Sequence, residues 1–123
     1  MAYRIYVGSY MNEIYTLAFD PDAHSLALLS SLTVGHHPSW VTSHPSDPSI
    51  VFTALEQAEG KVVTLKFDAA GKGAIIGNTS SGGADPCTLL VAGDQLLVGN
   101  VRRRSLNNCY MYYSELLTNF LFA

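Results

Sequence analysis

The sequence predicts an all-β fold built from a repeated four-stranded unit. Three observations predict it. A segment recurs at an offset of 48 residues, apolar residues alternate with period two inside it, and clusters of Gly, Pro, Asp and Ser separate the patterned runs. A period near ~40–50 residues with four short strands per copy is the pattern of β-propeller blades. The alternative is a small sandwich, which need not repeat.

The repeat is read by laying Ile14-Tyr15-Thr16-Leu17-Ala18-Phe19-Asp20 over Val62-Val63-Thr64-Leu65-Lys66-Phe67-Asp68, where Thr, Leu, Phe and Asp coincide. Further along, Gly35 falls on Gly83 and Pro38 on Pro86. A shorter echo links Tyr6-Val7-Gly8-Ser9, Phe52-Thr53-Ala54-Leu55 and Leu97-Val98-Gly99-Asn100. The second copy divides into strands at about 40–43, 50–55, 61–67 and 74–79. The run 50–55 is apolar throughout, as a strand buried on both faces is. In 61–67, Val63, Leu65 and Phe67 alternate with Val62, Thr64 and Lys66. Asp20-Pro21-Asp22, Pro45-Ser46-Asp47-Pro48, Ala70-Gly71-Lys72-Gly73 and Ser81-Gly82-Gly83 supply the turns. The chain therefore contains one full repeat flanked by two partial ones. The expectation is a partial β-propeller over 1–100, holding about two four-stranded antiparallel blades.

Composition excludes several classes. The chain has 123 residues and a formal charge of −3, with 48% hydrophobic and 14% charged residues. That length suffices for a core, and the balance argues against disorder. The mild acidity gives no reason to expect nucleic acid. No apolar run approaches the ~18–20 residues of a membrane span. Met1-Ala2-Tyr3-Arg4-Ile5-Tyr6-Val7 lacks the segments of a signal peptide. Cys87 and Cys109 make neither a disulfide framework nor a zinc site. A cytoplasmic chain without nucleic-acid or membrane partners is expected.

The sequence changes character near residue 100. All 10 glycines and all 5 prolines precede it, while Arg102-Arg103-Arg104 follow it. Leu106, Cys109/Tyr110, Tyr113, Leu116/Leu117 and Phe120/Leu121 recur at three and four, which is a helical stripe. Three readings of 101–123 stand side by side: a divergent, non-homologous tail from unspliced or frameshifted coding sequence, an amphipathic helix covering an open sheet edge, and a membrane-surface helix.

In order and spacing, four segments resemble the N-terminal end of the lactonase-type seven-bladed propellers. They are Ile5-Tyr6-Val7-Gly8-Ser9-Tyr10, Ile14-Tyr15-Thr16-Leu17, Gly35-His36-His37-Pro38-Ser39-Trp40, and Ile50-Val51-Phe52-Thr53-Ala54-Leu55-Glu56. The family includes propeller-type 6-phosphogluconolactonases and fungal carboxymuconate-lactonizing cyclases, and the resemblance covers residues 3–100. It implies hydrolysis of a sugar lactone such as 6-phosphogluconolactone, acting on a small-molecule lactone or polycarboxylate with no metal or organic cofactor. It leaves open a lactonizing cyclase, a non-catalytic propeller that binds protein or carbohydrate, and an inactive truncated product. It also implies that the inner strand of the first blade comes from the chain's far end. The family's His, Glu and Arg catalytic groups fall in later blades, with no position here to match. An open set of blades exposes apolar faces, through which the fragment is expected to self-associate.

Propellers bind ligands at the mouth of the central channel. On this chain the mouth loops are 9–13, 35–39, 56–60 and 81–87, with Asn100 beginning another. His36 and His37 are catalytic candidates, because an imidazole exchanges protons near neutral pH and can act as base on a water attacking a lactone carbonyl. Pro38 is expected to hold His37 extended, so that neighbouring side chains point apart and at most one imidazole faces the channel. A turn histidine with only local hydrogen bonds is the plain alternative. Glu56 ends a strand at the mouth and is a third candidate for acid or base. Asp85, just before Pro86, is a substrate-binding candidate or an ordinary Asp-Pro turn starter. Tyr10 and Asn100 complete the substrate-binding set. His36, His37 and His44 do not have metal-ligand spacing. No nucleophile elbow, phosphate loop or dinucleotide fingerprint is present.

Overall fold

The computed structural model describes residues 1–102 and the strand 110–114. Every described element is a strand: β1 (Tyr3–Val7), β2 (Glu13–Asp20), β3 (Ser25–Thr33), β4 (Pro38–Ser43), β5 (Ile50–Leu55), β6 (Lys61–Phe67), β7 (Gly73–Ser80), β8 (Ala84–Ala92), β9 (Gln95–Arg102) and β10 (Tyr110–Ser114). They form three antiparallel sheets of order β1-β2-β3, β4-β5-β6-β7 and β8-β9-β10. The architecture is all-β and consistent with part of a propeller, with one complete blade between two three-stranded ones.

The repeat explains the backbone as well as the strands. β2 carries a bulge between Thr16 and Leu17, and β6 carries one between Thr64 and Leu65, again 48 residues on. The pairs β4–β5 and β8–β9 are irregular at Pro38/Trp40 and at Pro86/Thr88, the same offset apart. Proline cannot donate to a ladder, so each inner strand begins with a register slip at its proline. The Asp20 carboxylate accepts from the amides of Asp22 and Ala23, and the Asp68 carboxylate accepts from Lys72 N–H. The aspartate shared by both copies therefore closes the same hairpin twice.

The two apolar layers lie between the blades. Strands β5 and β6 are buried on both faces. Val51, Leu55, Val63, Leu65 and Phe67 face the first blade, where Ile14, Val34, Tyr6 and Leu32 meet them. Ile50, Phe52, Ala54 and Val62 face the third, against Leu89, Leu96 and Val98. The middle blade is thus held by side chains of alternating direction, each layer drawing on the period-two pattern. Inner strands β4 and β5 pack on β8, while outer strands β3 and β7 barely meet.

The helix read from the stripe in the tail is corrected where the structure describes it. Tyr110–Ser114 is a strand, paired with β9 from Tyr110↔Asn100 to Ser114↔Leu96. The β9 edge offers a full ladder of backbone partners, and Tyr-Met-Tyr-Tyr suits a strand better than its spacing suits a helix. The sheet edge is covered, but by a strand. The rest of the predicted helix, 103–109 and 115–123, lies outside the described residues. No described helix is long and apolar enough to cross a membrane.

Candidate functional site

Four loops meet at one end of the sheets and are laced together by backbone hydrogen bonds. Val34 and Gly35 N–H donate to Asn12 C=O, and His37 N–H donates to Met11 C=O at 2.9 Å. Glu56 N–H donates to His37 C=O at 3.0 Å, and Asp85 N–H donates to Gln57 C=O at 2.8 Å. Ser81 N–H donates to Gly60 C=O, and Gly60 N–H donates to Gly83 C=O. Each blade's loop therefore rests on that of the blade before it.

His37 is not extended. Its φ is +49°, and Asp85, its repeat equivalent, has φ +51°. Pro38 and Pro86 disfavour the right-handed helical region for the residue before them. The loop bonds then select the left-handed turn, at a cost of about 1–2 kcal/mol for a residue with a side chain. His37 C=O accepts from Ser39 N–H at 2.7 Å as well as from Glu56 N–H. The turn also overturns the expectation that the two histidines point apart. Their rings stack, with centroids 3.6 Å apart and planes 23° from parallel.

Tyr10 joins this pair from the first blade. Its ring meets His37 edge-on, with centroids 5.3 Å apart and planes at 76°. The Glu56 carboxylate, first through hydrogen bonding and then through its charge, raises the phenol pKa above its usual value, with smaller contributions from desolvation and from the Cys87 thiol. The structure thus brings together Tyr10, His36, His37 and Glu56, drawn from three loops of two blades. His36 is exposed, while His37, Glu56 and Asp85 are half-buried.

Asp85 sits in the next loop, tied to the same hairpin through Gln57. Asn100 is placed differently. It is 3% exposed, its amide N–H donates to Ser81 C=O at 2.9 Å, and its carbonyl accepts from the Ser81 hydroxyl at 2.7 Å. Its polar atoms fasten the loop that carries Asp85. Ser81 was not a candidate from sequence, where its only signal is Thr33, a second hydroxyl, at the equivalent repeat position. Trp40 stands at the rim, 42% exposed, with its indole N–H donating to Leu89 C=O at 3.2 Å. His44 lies in the β4–β5 turn, where its Nδ1 accepts from Ser46 and Asp47 N–H. A cleft of about 220 Å³ beside the mouth is lined by His36, Gln57, Lys61 and Asn78 over an apolar floor.

The arrangement offers a proton acceptor and a phenol influenced by a carboxylate, with Asp85 in the adjoining loop. Among the described residues, no cluster of three or more His, Cys, Asp or Glu is placed to hold a metal ion.

The model of the family described as lactonase, 7-bladed beta-propeller, matches residues 4–105. Among solved structures, the chain resembles a candidate 6-phosphogluconolactonase from Bacteroides fragilis NCTC 9343, with a TM-score of 0.74 and 25% identity over 80% of this chain. It also resembles one from Bacteroides uniformis ATCC 8492, with a TM-score of 0.74 and 24% identity over 80% of this chain. These likenesses cover 29% and 30% of the two relatives, so the chain spans under a third of their length. No curated protein matches it.

Proposed function

Because the chain belongs to the lactonase family of seven-bladed β-propellers, whose model takes in residues 4–105, we propose that its loops form part of a mouth that hydrolyses a sugar lactone such as 6-phosphogluconolactone. The observation that supports this reading is the convergence of Tyr10, His36, His37 and Glu56. In the proposed reaction a water oxygen bonds to the lactone carbonyl carbon while the His37 imidazole takes a water proton. The tetrahedral adduct collapses as the ring C–O bond breaks, and the same proton passes to the departing ring oxygen. The product is a hydroxy acid. Tyr10, fixed by Glu56, acts as a positioning residue for the imidazole. A cytoplasmic setting belongs to the same proposal.

The test is lactone opening followed by pH-stat, with gluconolactone and its 6-phosphate as substrates. His37→Gln is expected to lower kcat by roughly 10²–10⁴ with little change in KM, the usual share of a general base. Tyr10→Phe should cost less and alter the pH profile rather than abolish the rate. Saturable binding of the lactones without any rate above the spontaneous one would replace hydrolysis with carbohydrate binding. Ring closure of a carboxymuconate in the same apparatus would replace it with the cyclase reaction.

A further inference from the structure

The 220 Å³ cleft beside the mouth takes no part in the reaction proposed above. Its walls are the segment joining β3 to β4, the strands β5, β6 and β7, and the turn between β5 and β6. No residue of β1, of β2 or of the third blade lines it. Its volume is that of about seven waters at about 30 Å³ each, which is room for a small organic molecule.

The backbone forms the hollow. Val34 and Gly35 N–H both donate to Asn12 C=O, which ties the β3–β4 segment down. A Cβ at Gly35, whose φ is +136°, would lie 2.7 Å from Leu55 Cδ1, so glycine lets the segment pass close over the floor. That floor is Val34, Leu55 and Val63, all buried. Four polar side chains stand over it: His36, Gln57, Lys61 and Asn78. Gln57 Nε2 donates to Glu59 C=O at 2.9 Å. The side-chain polar atoms of His36, Lys61 and Asn78 make no hydrogen bond or ion pair among the described residues. No carboxylate lines the cleft.

The floor follows the repeat, and the polar groups do not. Gly35 recurs as Gly83, and Leu55 and Val63 fall on Val7 and Tyr15. His36 falls instead on Ala84, Asn78 on Ser30, and Lys61 on Glu13, a residue of opposite charge. Packing one blade on the next needs the glycine and the apolar floor. It does not need these donors, which are peculiar to this one junction.

We infer that the cleft binds a small organic anion. Lys61 holds its phosphate or carboxylate group, His36 and Asn78 donate hydrogen bonds to it, and its carbon body rests on the apolar floor. The His36 ring also stacks on His37 with centroids 3.6 Å apart, so the bound anion lies one ring away from the mouth. The inference concerns binding alone and does not require the mouth to hydrolyse a lactone.

The experiment is an NMR titration of the full 123-residue chain with glycerol 3-phosphate, glycerate and glycerol at constant ionic strength. It reads the side-chain amides of Gln57 and Asn78 and the ring protons of His36. The expected result is saturable shifts at these groups with an anion and none with glycerol. Saturation by glycerol 3-phosphate alone assigns the cleft to phosphates, by glycerate alone to carboxylates, and by both to either group. Lys61→Met should raise Kd about tenfold or more, the share of a charge-assisted contact, while Lys61→Arg should retain binding. Lys61 is exposed, so both variants should keep the wild-type backbone amide spectrum, which is recorded on the same samples. Three results would overturn the inference: glycerol binding as tightly as the anions, shifts that grow linearly or fall on other residues, and a Lys61→Met variant that binds like the wild type. No turnover is read, so a mouth that proves inert leaves each of these outcomes as it stands.

Discussion

At the scale of single residues, the buried hydroxyls show most clearly what the repeat demands. Thr16 is fully buried on β2, and its Oγ1 meets no hydrogen-bond partner among the described residues. Burying an unsatisfied hydroxyl costs more than burying a methyl of the same shape. Thr16→Val should therefore raise stability by about 1 kcal/mol in a denaturant titration; a loss instead would reveal a partner for the hydroxyl. Asp47 gives a pH signature. The Ser49 hydroxyl at 2.6 Å and the Ser49 amide at 3.0 Å both donate to its carboxylate and hold its pKa below the usual value. Its contribution to the β4–β5 turn is therefore present at neutral pH and is lost as pH falls through that lowered value. Ser49→Ala should move the Asp47 titration upward in carboxyl NMR, and an unmoved titration would remove the hydroxyl as the cause. At this scale the sequence was only partly legible. It pointed to His36, His37, Glu56 and Tyr10 singly, but not to their meeting. Tyr10 and Glu56 stand at equivalent turns of neighbouring blades, and the left-handed turn at His37 has no sequence signal beyond the proline after it.

At the scale of elements, local pattern sufficed wherever both sides of a strand had partners. The strands expected at 50–55 and 61–67 are found with the same bounds, because apolar alternation and tertiary burial agree there. They part company in the tail, where a three-and-four spacing competes with an unfilled ladder and the ladder prevails over 110–114. The turns between elements are equally exacting. A Cβ at Gly60 would lie 2.6 Å from Pro86 Cδ and 2.9 Å from Gly83 O, and would also strike the Ser81 hydroxyl. Gly60→Ala should then cost about 1–3 kcal/mol, as overpacking does. It should also shift the NMR resonances of Gln57 and Asp85 through the bond that joins their loops. If the melting temperature and those resonances both stay put, the loops are not packed as tightly as described.

At the scale of the whole molecule, the fold class was legible because it is stated twice in the sequence, once in each copy of the repeat. How the missing sides of the end blades are filled was not, since that depends on surfaces outside the pattern. The middle blade, sealed on both faces, should be the most stable part. In native-state hydrogen exchange the amides of β5 and β6 should be the last to exchange and those of β3 among the first. Uniform protection across the three sheets would mean that the blades unfold as one.

The lacing of the mouth loops also bears on the order of events in time. Each sheet is a meander of neighbours in sequence, so its loop closures are short and its assembly is quick. The contacts between sheets reach back by little more than half a repeat, 26 residues from His37 to Met11 and 28 from Asp85 to Gln57. A chain leaving the ribosome can therefore finish one sheet before the next emerges, and each new loop finds its partner already in place. The mouth would be put together in the order in which its residues are translated, with Tyr10 waiting for His37 and the β5–β6 turn waiting for Asp85.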